Sequence, residues 1–112
     1  MKRIDAIIRP QNLDSVKEHL SAIGVEALTV CEVRGFGRQK GHTELYRGAE
    51  YAVDFFPKIM LTILAADGRV DEIVNAIMAG ARTGKMGDGK IFVTPLDEVV
   101  RIRTGERGES AI

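Results

Sequence analysis

The sequence predicts an α+β fold of the ferredoxin-like kind, βαββαβ: one sheet carrying two helices on one face. Three observations carry that expectation. The chain has 112 residues, the size of one domain with one core. Apolar periodicity gives a strand–helix–strand unit twice, each unit about as short as a right-handed crossover allows. A long glycine-bearing stretch, Gly35 to Pro57, separates the two units. The whole chain, 1–112, therefore reads as a single domain with a long loop between its second and third strands.

Residues 2–9, KRIDAIIR, form the first strand, and Pro10 ends it because proline cannot donate to a ladder. Asn12 is placed to cap a helix whose apolar stripe is Leu13, Val16, Leu20 and Ile23, with Gly24 as its left-handed terminus. Residues 25–34, VEALTVCEVR, are rich in β-branched side chains and read as the second strand. Residues 58–65, KIMLTILA, make the third. Asp67 and Gly68 turn the chain into a second helix with stripe Val70, Ile73, Val74, Ile77 and Met78, its end bracketed by Gly80 and Gly84. Residues 90–96, KIFVTPL, form the fourth strand, and 97–104 are expected to add a turn and a short edge strand.

The third strand is apolar on both faces: Ile59, Leu61 and Ile63 on one, Met60 and Leu64 on the other. Helices cover one face only, so the second asks for another copy of the chain. The loop, about residues 37–55, is longer than compact domains usually tolerate without a functional reason. Its centre, Lys40 to Glu50, is too polar to bury and carries Tyr46, with Tyr51 next in line. A mobile, exposed, partner-reading loop is expected there.

Composition excludes several classes. Sixteen Lys+Arg balance sixteen Asp+Glu, so the basic excess of a nucleic-acid binder is missing. No apolar run reaches the ~18 residues of a membrane span, and the N-terminus lacks a signal-peptide pattern. The single cysteine, Cys31, cannot form an internal disulfide. It is expected as a buried small hydrophobe in a cytoplasmic protein. Two histidines and one cysteine offer no zinc-ligand spacing.

Twelve glycines exceed the ordinary ~7%. One cluster, Gly35, Gly37 and Gly41, ends the second strand and misses a dinucleotide fingerprint by one residue. The other, TGKMGDGKI at 83–91, matches G-x-x-x-x-G-K but has Ile91 where a P-loop needs Ser or Thr, and it follows a helix instead of preceding one. Both departures argue against a Walker NTPase. Successive glycines can nonetheless aim several N–H groups into one concavity, with Lys85 and Lys90 adding charge. Arg101 and Arg103 alternate about Ile102 as a third basic set. Three such segments on a neutral protein point to a nucleotide.

YRGAEY at 46–51 and TGKMGDGKIFV at 83–93, within GFGRQKGHTELYRGAEY and the RIRTGERGESAI terminus, carry a resemblance along nearly the whole chain. The chain resembles the PII nitrogen-regulatory signal-transduction proteins. That resemblance implies a homotrimer with nucleotide sites between subunits, binding ATP or ADP and, with Mg-ATP, 2-oxoglutarate. Gly87, Asp88, Gly89 and Lys90, in the glycine-rich loop of about 82–90, would cradle phosphates. Gly35, Gly37, Arg38 and Gln39 would approach from the root of the long loop, and Leu64 would pack near the base. Thr29, Arg101 and Arg103, the arginines in the C-terminal segment of about 101–112, would come from the neighbouring subunit. Gln39 would ligate magnesium, and Lys40, Lys58 and the Gly87 backbone would help hold 2-oxoglutarate.

Tyr51 would be the site of uridylylation by a uridylyltransferase. The implied targets are glutamine synthetase adenylyltransferase, a nitrogen-sensing histidine kinase and the ammonium transporter, the last giving the only link to a membrane. The residues leave two other classes open. One is a slow ATPase or other phosphoryl-transfer enzyme, for which no efficient acid–base arrangement is visible. The other is an RNA-recognition module, whose strands should carry more aromatic and basic residues.

Overall fold

A computed structural model describes the backbone of residues 1–37, 43–46, 49–52 and 55–112, and the side chains of 1–37 and 55–112. The elements are β1 (Lys2–Ile8), α1 (Leu13–Ala22), β2 (Thr29–Phe36), β3 (Thr43–Tyr46), β4 (Ala49–Ala52), β5 (Phe55–Ala65), α2 (Val70–Ala81) and β6 (Lys90–Pro95). Four strands form one sheet in the order β2-β5-β1-β6, with every neighbouring pair antiparallel. The expected βαββαβ order is present.

Alternation along the central strands sets the two faces. Ile4, Ala6 and Ile8 of β1 stand opposite Ile63, Leu61 and Ile59 of β5. They are buried with Val16 and Leu20 of α1 and Ile73 and Ile77 of α2. Burying each of these large side chains stabilises the fold by roughly 1.5–3 kcal/mol. The helices meet closely at Gly80, where a Cβ would stand 2.7 Å from the Val16 Cα. Gly80 is therefore a packing residue in the last turn of α2, and with Gly84 it brackets the helix end at Ala81, as expected.

Four local readings are corrected. Asn12 makes no side-chain cap on α1; its Nδ2 donates to the Ala81 carbonyl, 3.2 Å away, at the end of α2. The second strand starts at Thr29 because Val25 is used to close α1. Gly24 N–H donates to Ser21 O at 3.0 Å, Val25 N–H to Leu20 O at 3.0 Å, and Gly24 takes φ +82°, which together make a Schellman cap. No edge strand follows β6. The Leu96 N–H donates to the Met1 carbonyl at 3.1 Å, and the chain then folds back on itself through a single bridge, Val100 to Arg107. Cys31 is exposed, since its register partner Met60 places it on the face away from the helices.

That open face carries Met60 and Leu64, as expected, and also a polar knot. Asp5, only 3% exposed, accepts the Arg3 Nε at 2.9 and 3.2 Å and the Thr62 hydroxyl at 2.7 Å. Within the long connection, expected as a loop, β3 and β4 pair with each other as a second, two-stranded sheet. β5 starts at Phe55, so the connection ends earlier than Pro57. Among the described residues, no helix is long and apolar enough to cross a membrane.

Candidate functional site

One end of the sheet gathers the carboxyl ends of β1 and β2, the amino ends of β5 and β6, and the glycine-rich loop between α2 and β6. A cleft of about 640 Å³ there is lined by Gly35, Phe36 and Gly37, by Phe56 and Lys58, and by Met86, Gly87, Gly89, Lys90 and Phe92, with Ile7 at its back. Thus Gly35 and Gly37 of one cluster and Gly87 and Gly89 of the other face one cavity, although more than 40 residues of chain separate them.

Asp88 organises the loop. Its carboxylate accepts the Thr83 N–H at 2.8 Å, the Thr83 hydroxyl at 2.5 Å and the Gly84 N–H at 2.8 Å. The Arg9 Nε donates to it at 3.2 Å. The Thr83 hydroxyl and backbone bonds hold the Asp88 carboxyl well below the usual carboxylate range, with the Gly84 and Arg9 bonds acting in the same direction. Its carboxylate therefore serves the loop itself and not a phosphate directly.

Gly89 adopts φ +106°, and a Cβ on it would lie 1.7 Å from the Ile7 carbonyl oxygen. Glycine is required at 89 so that the loop can lie against β1. Gly87 also has positive φ, +95°, and its carbonyl accepts the Lys58 Nζ at 2.6 Å. Lys58 is 9% exposed. Burial lowers its pKa, the Arg9 charge lowers it further, and Asp88 acts the other way. The chain thus sets two cations, Lys58 and Lys90, beside a loop whose carbonyls are already engaged.

The model of the family described as "Nitrogen regulatory protein P-II" matches residues 1–106. The chain belongs to the P-II family. It is 62% identical to the nitrogen regulatory protein P-II of Pasteurella multocida and 60% identical to that of Azospirillum brasilense, each over 112 residues and the full length of both chains. The crystal structure of Arabidopsis thaliana PII bound to citrate superposes with a TM-score of 0.82 at 40% identity, covering 99% of this chain and 91% of that one. Membership makes this P-II chain a nitrogen-regulatory signalling protein and not an enzyme.

The P-II cleft brings together Gly35, Gly37, Lys58, Gly87, Gly89 and Lys90 of the expected site, with Asp88 bracing it from within the loop. Arg38, Gln39 and Lys40 lie outside the described residues. Tyr51 lies in β4, and its side chain is likewise outside the described set. Thr29, Leu64, Arg101 and Arg103 are not in the cleft. Thr29 and Leu64 sit on the open face, opposite Thr62 and Arg3.

Arg101 precedes the turn over residues 102–104 and Arg103 lies within it, so the two do not share one side of a strand. Arg101 pairs with Glu106 at 3.0 Å and donates to the Ile112 carbonyl at 3.3 Å. Arg9 and Met86 were missed from sequence. A lone arginine after a strand and a methionine between glycines carry no pattern; only the acidic Asp88 in the glycine-rich loop hinted that a cation must come to meet it.

Proposed function

We propose that this P-II protein reports cellular nitrogen, carbon and energy status. On this reading it binds ATP or ADP at the glycine-rich loop and, with Mg-ATP, 2-oxoglutarate. The observation that carries the reading is the donor set at the sheet end. Among the described residues, the N–H groups of Gly87 and Gly89 make no hydrogen bond within the chain. They stand beside Lys58 and Lys90 in a cleft open to solvent. Unengaged amides on positive-φ glycines next to cations suit phosphate oxygens. The donor set therefore fits a nucleotide.

Lys58 and the Gly87 backbone suit the carboxylate of a 2-oxo acid, and Gln39 and Lys40 follow directly on the glycine-rich end of β2. Gln39 would supply an amide oxygen to magnesium, an oxygen-seeking ion that keeps few protein ligands when phosphates are present. Bound magnesium would supply charge neutralisation between phosphate and 2-oxo acid. That the plant relative carries citrate supports a taste for polycarboxylates.

The cleft of a single chain is incomplete. Thr29, Arg101 and Arg103 reach a nucleotide only from a neighbouring copy, which supports a homotrimer closed through the open sheet faces. Leu64, on the same face, packs near the base at that junction. The long connection selects targets: glutamine synthetase adenylyltransferase, a nitrogen-sensing histidine kinase and the ammonium transporter. Tyr51 is the acceptor for uridylyl transfer, and the protein works in the cytoplasm.

Calorimetry with ATP and ADP tests the cleft. Lys90→Ala and Arg103→Ala each remove a charge-assisted contact and are expected to weaken both nucleotides by about 1.5–3 kcal/mol. Unchanged affinity in both variants contradicts the assignment.

A further inference from the structure

We propose that Arg9 is a positioning residue for the anion cradle, acting through the Asp88 carboxylate and the Met86 carbonyl that it holds. This rests on the nucleotide reading above and adds a residue that reading does not use. Arg9 leaves the end of β1 with its side chain largely buried. Its Nε donates to Asp88 Oδ1 at 3.2 Å, and its Nη2 donates to the Met86 carbonyl. Lys58 takes the next carbonyl, that of Gly87, at 2.6 Å. Among the described residues no peptide bond is cis, and in a trans peptide the C=O and the following N–H point in opposite directions. Two cations that hold the carbonyls of Met86 and Gly87 therefore turn the N–H groups of Gly87 and Asp88 away from themselves, that of Gly87 as a free donor and that of Asp88 into the turn over residues 86–87.

The loop needs that clamp. Gly87 tolerates either sign of φ, so the Met86–Gly87 peptide has no steric reason to stay in one orientation. Flipped, it would present a carbonyl where an anion needs an N–H. Arg9 also offsets the charge of Asp88, which would otherwise repel an anion bound to its own backbone. Together with Gly89 against Ile7, Arg9 fastens the loop to β1, so the cradle is anchored to the sheet and not only to itself.

The test compares wild type, Arg9→Met and Arg9→Lys by titration with ATP and with ADP. Arg9→Met keeps the stem and removes the donors. We expect both affinities to fall about tenfold or more, by the same factor, because the cradle serves phosphates that both nucleotides share. Arg9→Lys should regain part of the loss. In unliganded Arg9→Met the amide resonances of Gly87 and Asp88 should move, while those of Leu96 and Asp67 at the far end of the sheet stay put. A bracing role for stability alone would lower the melting temperature and leave the affinity of the folded protein intact; that result, or equal affinities, overturns the proposal.

If Arg9→Met does not fold, the Arg9 Nε–H resonance of wild type decides. It should remain protected from exchange when ADP is bound, and its loss on ADP addition contradicts the clamp. A wild type that binds neither nucleotide contradicts the nucleotide reading instead. The unliganded amide shifts then still test whether Arg9 sets the loop.

Discussion

Asp88 was expected among the residues that cradle phosphates, and its side chain has a task of its own within the loop. Its motif marks it, and its carboxylate is occupied by Thr83, Gly84 and Arg9. Its folded pKa is depressed, so its contribution to loop order is present above the ordinary carboxylate range and is lost as pH falls through the depressed folded value. Amide exchange at Thr83 and Gly84, whose N–H groups the carboxylate holds, should therefore accelerate only in strong acid. Asp88→Asn should show fast exchange already at neutral pH, because its amide nitrogen meets donors with a donor. Slow exchange in that variant at pH 7 would remove Asp88 from its organising role.

Gly89 was expected to cradle phosphate through its backbone, and what a side chain there would meet first is the Ile7 carbonyl. Gly89→Ala is expected to cost about 2–5 kcal/mol of stability through strain and overpacking, measured by urea unfolding. A loss of nucleotide affinity in that variant is then no proof of direct contact. Arg9 had no signature of its own, because long-range pairing to a loop leaves no local period in a sequence.

Among the elements, the helices and central strands were legible because each buries one stripe or one face, and burial imposes periodicity. Boundaries were not. Val25 has the composition of a strand residue, yet its N–H closes α1 at Leu20. Asn12 looked like a local cap and instead reaches Ala81 across the helix pair. Residues 97–104 alternate like a strand, but the chain turns back through the Val100–Arg107 bridge, and alternation cannot tell a sheet partner from a self-contained turn.

The long connection's own hairpin, β3 with β4, lacks the tight Asn-Gly or Asp-Gly turn that would have announced it. Gly80 allows a sharp prediction at this scale. In a solvent-facing helix position Gly→Ala gains up to ~1 kcal/mol. At Gly80 the added methyl meets Val16 backbone at 2.7 and 2.8 Å, so Gly80→Ala should lose about 1–3 kcal/mol. A stabilised variant in chemical denaturation would mean that the helices part there at no cost.

For the whole molecule, the two-faced third strand was the one feature of sequence that spoke of assembly, and the structure gives that face its chemistry. Met60 and Leu64 surround the Arg3–Asp5–Thr62 knot, with Asp5 nearly inaccessible in a single chain. Sedimentation equilibrium should give three times the 12.3 kDa of one chain, and Met60→Glu, a charge placed on that face, should shift the mass towards a single chain. An unchanged mass in the variant would move the interface elsewhere.

The cleft links this scale to function, because it joins the root of the long connection to the glycine-rich loop and Lys58, so an effector there can redirect the connection without a long pathway. The central claim is that coupling, and one measurement reaches it: calorimetric titration of 2-oxoglutarate into the protein with Mg-ATP, with Mg-ADP, and with ATP and no magnesium. Binding should be strong only with Mg-ATP, and 2-oxoglutarate should tighten ATP by the same factor in return, within the ordinary range of roughly 5–150-fold. Equal binding of 2-oxoglutarate under all three conditions would contradict it.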